Sequence, residues 1–309
     1  MTTVIEGRNL FKAYGANRAL DGVSFTVESG RIVGIIGPNG AGKTTALKGI
    51  LGLTDFDGDL TVLGRNPRTE RDRLMQDVSF IADVAVLPRW MRVRNALDYV
   101  EGVHPRFDRA RAEDFLSRTD IRQGSRVREL SKGMVTQLHL ALILAIDARL
   151  LVLDEPTLGL DLLYRRQFYD TLLNDYFDKE RTILLTTHQV EEVEHLLTDV
   201  IFLAHGHIVL SSTIDAIPDR YLQLTVGPDG VSRARELHPF YEREVFGRTA
   251  LLYEGRSARE LEPLGEVRTP SIADLFVAKM QSPDVTRTPG AGAPGAAPAP
   301  APRATEGSR

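Results

Sequence analysis

Residues 37–45 read Gly37-Pro38-Asn39-Gly40-Ala41-Gly42-Lys43-Thr44-Thr45, the pattern G-x-x-x-x-G-K-[ST] of a phosphate-binding loop. Before it runs Ile32-Val33-Gly34-Ile35-Ile36, apolar and strand-like, and a helix-like run begins near Thr44. This is the strand–loop–helix context that the pattern requires. The glycines let the backbone pack against phosphates, and successive N–H groups form an anion nest at a helix N-terminus. Lys43 then reaches the β- and γ-phosphates of a nucleotide, and the Thr44 hydroxyl serves as a ligand for Mg²⁺.

Further along, Leu150-Leu151-Val152-Leu153-Asp154-Glu155 is an apolar strand ending in two carboxylates. Both emerge at the carboxyl edge of a sheet, beside the phosphate loop. Asp154 is suited to hold Mg²⁺, directly or through water, and Glu155 to polarise a water for in-line attack on a γ-phosphate. Between the two motifs lies Leu130-Ser131-Lys132-Gly133-Met134, followed by a helical run from Val135 to Ile146. Ser131 reads as the N-cap of that helix. Ser131 and Gly133 are also what a helix N-terminus needs to bind a γ-phosphate held by a second molecule. His188, after Leu185-Thr186-Thr187, ends another strand and either faces the γ-phosphate or lies in solvent.

The rest of the chain supplies the frame. Val4 to Phe11 and Val23 to Val27 read as strands, and Gly52, Asp57-Gly58 and Gly64 punctuate another short β region. Residues 70–150 look mostly helical. A helix from Tyr164 to Asp178 separates the apolar strands Leu150–Leu153 and Thr182–Thr187, an alternation that implies a parallel sheet covered on both faces. Val200–Leu203 and His207–Leu210 look like a closing hairpin around His205-Gly206. The expected fold is α/β: a phosphate-loop NTPase core of parallel sheet flanked by helices, with an antiparallel β subdomain and a helical subdomain at about 85–147. Residues 1–215 form this domain. A small α+β accessory unit is expected at 216–280, ending in an amphipathic helix from Ser271 to Met280 with Ser271 as N-cap. Residues 281–309 are 17 of 29 Pro, Ala or Gly and are expected to be a disordered tail.

Composition narrows the function classes. The 309 residues carry a net charge of −4, so there is no basic excess of the kind that marks a nucleic-acid binder. Cysteine is absent, which removes disulfides and thiolate metal sites. The N-terminus shows no signal-peptide pattern, and no run approaches the roughly 18 uninterrupted apolar residues of a membrane span.

The order of these motifs resembles the ATP-binding subunit of ATP-binding-cassette (ABC) transporters, over about residues 3–215. The Leu130-Ser131-x-Gly133 element and the run Asp154-Glu155-Pro156-Thr157-x-Gly159-Leu160-Asp161 carry the likeness. The resemblance implies ATP and Mg²⁺ as the bound species. It makes Tyr14 the aromatic that stacks on adenine, with a packing tyrosine near a turn as the other reading. It assigns residues Gly37 to Thr45 to the phosphates, Ser131 and Gly133 to the partner's nucleotide, and Asp154 and Glu155 to the magnesium carboxylate and the catalytic base. Asp161 becomes the residue bridging two protomers, and His188 the switch histidine. A lone cassette without spans implies a separate transmembrane permease subunit and a second ATP-binding subunit, in the manner of bacterial exporters, at the inner face of the cell membrane.

Two positions depart from the pattern. The family's sensor glutamine falls at Asp83, an acceptor only when ionised, and a second candidate ligand for Mg²⁺; a surface aspartate is the competing reading. Lys132 and Met134 replace a glycine and a glutamine of the signature, while Ser131 and Gly133 remain. Leu87-Pro88-Arg89-Trp90-Met91 lies where the family receives its membrane subunit. An exposed Trp90 suits that contact, and a tryptophan in the core of the helical subdomain is the alternative. The rival function is a soluble ABC ATPase acting on ribosomes or DNA. Translation-type members carry two cassettes and repair types a long coiled-coil insertion, and this chain has neither.

Overall fold

The computed structural model describes residues 2–81, 87–158, 160, 162–178 and 180–282. Asp83, Asp161 and the Pro/Ala/Gly tail beyond Ser282 lie outside the described residues. At the centre is a six-stranded sheet in the order Val78–Ile81, Leu150–Asp154, Thr182–Thr187, Ile32–Ile36, Asp199–Ala204, His207–Thr213. The first five strands are parallel, and the hairpin partner His207–Thr213 closes the edge antiparallel. Ile32–Ile36, Leu150–Asp154 and Thr182–Thr187 are buried at every position, because helices or a second sheet cover both faces.

Alternation along each strand divides the core in two. Val33, Ile35, Leu150, Val152 and Leu184 face one cluster, and Ile32, Ile36, Leu151, Leu153, Ile183 and Leu185 the other. The first face packs against Leu47 and Ile50 of the helix Lys43–Ile50 and against a three-stranded antiparallel sheet, ordered Asn17–Glu28, Thr3–Tyr14, Asp57–Val62. The second face receives Leu140 and Leu144 of the helix Lys132–Leu144, together with Phe168, Leu172 and Tyr176. Burying each such side chain contributes about 1.5–3 kcal/mol.

A separate apolar cluster around Leu97, Leu116, Leu138 and Leu142 joins the helices Val93–Val103, Arg109–Ser117 and Lys132–Leu144 into a helical lobe. Asp108 caps the second of these, accepting the Arg111 N–H at 3.1 Å. The C-terminal region is a four-stranded antiparallel sheet, ordered Tyr241–Val245, Arg248–Glu254, Tyr221–Val226, Glu266–Arg268. Its last helix, Ile272–Gln281, is capped by Ser271, whose hydroxyl accepts the Asp274 N–H at 3.0 Å. Ile272 and Leu275 of that helix enter the cluster beneath the central sheet, and Phe276 meets Phe202 edge to face at 5.2 Å.

Two readings change. The helix expected from Tyr164 to Asp178 is α-helical over Leu162–Thr171 and widens to a π turn over Leu172–Tyr176. The wider turn, closed by the Phe177 N–H on the Leu172 carbonyl, accompanies burial of both Leu172 and Tyr176. Trp90 is 70% exposed, so the core-tryptophan alternative falls.

Candidate functional site

Parallel pairing lines up three strand ends. Ile36 pairs with Thr187 and Asp154 with Thr186, so the residues that follow, Gly37, Glu155 and His188, emerge side by side at the carboxyl edge of the sheet. Ligands of open α/β sheets bind at this edge.

The loop Gly37–Gly42 is held on both sides. The Gly37 N–H donates to the Thr187 carbonyl at 3.4 Å, the Ala41 N–H to Pro38, and the Gly206 N–H to the Ala41 carbonyl at 3.1 Å. Gly206 in turn accepts the Asp21 N–H at 2.9 Å. Gly42 closes the loop at φ 110°, and a Cβ there would fall 2.1 Å from the Ala19 carbonyl oxygen, so only glycine fits. Asn39 and Gly40 are exposed at the loop's tip, and Ala41 is buried beneath it. The helix Lys43–Ile50 then begins with no side-chain cap and no acidic residue in its first turn.

Lys43 is buried, and its ammonium donates to the Gly37 carbonyl at 2.7 Å and to Pro38 at 3.3 Å. It also pairs with Glu155 Oε1 at 3.2 Å. The other carboxylate oxygen of Glu155 lies 2.9 Å from His188 Nδ1. Lysine, glutamate and histidine thus form one chain of contacts across three strand ends. Glu155 is held there with a left-handed backbone, φ 47°, a conformation costing about 1–3 kcal/mol that surrounding bonds must offset. Its N–H donates to both the carbonyl and the hydroxyl of Thr186, each at 3.2 Å.

Thr186 escaped the sequence reading. Its hydroxyl donates to Asp154 Oδ1 at 2.6 Å while accepting from Glu155, so one side chain orients both carboxylates. The signal was the threonine pair Thr186-Thr187 closing an apolar run just before His188. Thr44 Oγ1 approaches the same Asp154 oxygen at 3.3 Å. A hydroxyl and a buried carboxylate are oxygen donors of the kind Mg²⁺ takes when phosphates and waters complete its shell. Among the described residues no group of three or more His, Cys, Asp or Glu is placed to hold a metal ion by itself.

Tyr14 ends the strand Thr3–Tyr14 half-exposed, with Lys12 5.3 Å from its ring centre. Hydrogen bonding from Thr54, and less so from Thr45, holds its phenol below the usual tyrosine range, against the effect of burial. Ser131 caps its own helix, accepting the Met134 N–H at 3.2 Å. Gly133 lies under Tyr164, and a Cβ on it would meet that ring at 2.4 Å. The structure therefore brings Gly37 to Thr45, Asp154, Glu155 and His188 together, with Tyr14 beside Thr45. Ser131 and Gly133 belong to the separate helical lobe.

A buried parallel sheet with a phosphate loop after one strand, Asp-Glu at the end of a second and histidine at the end of a third defines a phosphate-loop ATPase of cassette layout. A family profile described as ABC transporter matches residues 20–158. The Nod factor export ATP-binding protein I of Sinorhizobium fredii (strain NBRC 101917 / NGR234) is 33% identical over 299 residues, covering 88% of this chain and 84% of that protein. The ABC transporter ATP-binding protein YtrB of Bacillus subtilis (strain 168) is 28% identical over 226 residues, 73% of this chain and 77% of its own. A solved structure described as the ATP binding subunit of an ABC transporter superposes with a TM-score of 0.63 at 27% identity, covering 70% of this chain and 92% of that one. The chain belongs to the ATP-binding subunits of ABC transporters, ATPases that drive transport together with a membrane component. Among the described residues no helix is long and apolar enough to cross a membrane itself.

Proposed function

We propose that this chain powers export through a separate permease at the cytoplasmic face of the membrane, and that Glu155 is its catalytic base. The observation that carries the assignment is the contact chain Lys43–Glu155–His188. Phosphates entering the loop compete with Glu155 for the Lys43 ammonium. Drawing Lys43 away frees Oε1 to accept a proton from the attacking water, while His188 keeps the carboxylate aimed through Oε2. Thr44 and Asp154 are the residues that would hold Mg²⁺, which would neutralise phosphate charge. Tyr14 is assigned to the adenine.

A single chain offers one phosphate loop and one signature, so the closed state needs a second ATP-binding subunit. Ser131 and Gly133 would cap the partner's γ-phosphate, and Asp161 would bridge the protomers. Asp83 is assigned to the sensor position, and Leu87 to Met91 to the permease contact, supported by the exposure of Trp90. Residues 216–280 are assigned as an accessory unit. Export as the direction is supported by the printed name of the Sinorhizobium relative.

Replacing Glu155 by Gln tests the base. ATP binding should persist, turnover should fall by about 10²-fold or more, and an ATP-bound dimer should accumulate. Near-normal turnover of the variant in the reconstituted complex would remove Glu155 from the role.

A further inference from the structure

The helix Leu162–Thr171 opens between the nucleotide edge and the helical lobe, and two neighbouring side chains fasten its first turn to each. Arg165 holds the nucleotide side. Its Nε donates to the Leu160 carbonyl at 2.7 Å, and a terminal nitrogen donates to Gln189 Oε1 at 2.9 Å and pairs with Glu192. Gln189 follows His188 directly, and its own N–H donates to the Thr187 hydroxyl at 2.9 Å. The segment leaving Glu155 is tied in as well. The Leu160 N–H donates to the Thr157 carbonyl at 3.1 Å, and Thr157 Oγ1 lies 3.2 Å from the Tyr169 hydroxyl.

Tyr164 holds the lobe side. Leu162 and Leu163 before it are exposed, but the Tyr164 ring turns onto Gly133. A Cβ on Gly133 would stand 2.4 Å from Cζ of that ring and 2.6 Å from both Cε atoms, inside the 3.0 Å that Cβ contacts respect. Backbone conformation gives no reason for glycine there. Gly133 is in the first turn of the helix Lys132–Leu144 and not in left-handed backbone, unlike Gly42 at φ 110°. A glycine inside a helix lowers its stability relative to alanine, so its use needs a cause. The seated ring supplies one. Thr136 and Leu140 of one helix and Gln167 and Phe168 of the other continue the same seam.

We propose that Tyr164 is a positioning residue for the Ser131–Gly133 end: its ring sets that helix end against the strand-end contacts that Arg165 makes. Gly133 is then glycine because the ring must seat on it, and not only because a phosphate must approach. The proposal rests on the reading of Ser131 and Gly133 as the cap on a partner's γ-phosphate. Such a cap must be held within about 0.5 Å of its productive place by the packing behind it. Tyr164 and Arg165 join it to Gln189 beside His188, so a chain presents the cap to its partner in step with its own strand ends.

ATP-dependent dimerisation is measured by sedimentation velocity on the full-length chain carrying Glu155→Gln, the variant expected to hold ATP uncleaved. Gly133→Ala should weaken dimerisation by about 10-fold or more, since a methyl forced against a packed ring displaces it. Tyr164→Ala should weaken it by about 3-fold or more through the lost packing. Tyr164→Phe, which keeps the ring, should match the parent. Combining Gly133→Ala with Tyr164→Ala should return dimerisation to the level of Tyr164→Ala alone, because the added methyl then meets no ring. ATP affinity of the single chain should be unchanged in every variant. A double variant weaker than Tyr164→Ala by the full Gly133→Ala factor would overturn the proposal and leave Gly133 to the phosphate alone. So would a Tyr164→Ala chain that dimerises like the parent. If Gly133→Ala fails to fold, the double variant decides: it must fold and dimerise like Tyr164→Ala. A Glu155→Gln parent that stays monomeric with ATP would instead sink the composite site itself, and the proposal with it.

Discussion

Two helices of this chain open beside a glycine and a lysine, and they differ in what their first turn is doing. The helix Lys43–Ile50 starts from Gly42 in left-handed backbone, with no side-chain cap and no acid near it. Its N–H groups and the buried Lys43 face the strand ends where Glu155 and His188 emerge. The helix Lys132–Leu144 starts from Ser131, whose hydroxyl already accepts the Met134 N–H, and its Gly133 lies under Tyr164. The first end is an anion site by construction. The second is a self-satisfied helix end that a phosphate must compete to use. Shared residue types at a helix start do not settle the role; the cap does.

The sharpest way to break this comparison is through nucleotide affinity. Lys43→Ala removes a charged donor worth about 1.5–3 kcal/mol per hydrogen bond, so ATP binding to the isolated chain should weaken roughly 10- to 100-fold. Ser131→Arg should leave that affinity near wild type and abolish ATP-dependent dimerisation, as measured by calorimetry and size-exclusion chromatography. If Ser131→Arg weakened one-chain binding as much as Lys43→Ala, the two helix ends would be equivalent.

Stability gives the next contrast. Gly42→Ala forces a Cβ against the Ala19 carbonyl in a backbone that side chains rarely adopt, and should cost about 3 kcal/mol or more in urea unfolding. Ser131→Ala removes only a helix cap and should cost about 1 kcal/mol. Equal costs would mean that the loop tolerates a side chain after all. The smallest effect serves as the control: removing residues 283–309 should shift the melting temperature by no more than about one or two degrees, because that composition offers little apolar surface to bury.

These contrasts follow what was legible in the sequence. Short apolar runs announced the strands Ile32–Ile36, Leu150–Asp154 and Thr182–Thr187, and the residues at their ends gave the nucleotide loop, the carboxylates and His188. What stayed hidden depends on neighbours distant in the chain. Thr186 becomes important only because parallel pairing sets it against Asp154. Lys43 meets Glu155 only because the strand that leads into its loop and the strand that ends at Asp154 finish at one edge. Trp90's exposure is decided by how the helical lobe packs. Periodicity reads one element at a time, whereas each of these depends on register between elements.

The contact between Phe276 and Phe202 has a consequence for cooperativity. Phe202 lies on the strand Asp199–Ala204, whose chain turns at His205-Gly206, and Gly206 holds the Ala41 carbonyl of the phosphate loop. The C-terminal helix and the nucleotide loop are thus opposite ends of one stiff run of sheet. In the language of linkage, a ligand clamped on the loop raises the free energy for opening that helix to solvent, and loosening the helix weakens the ligand. The last helix of the C-terminal region therefore packs on the sheet whose edge carries the nucleotide loop, while the four-stranded sheet before it keeps an apolar cluster of its own.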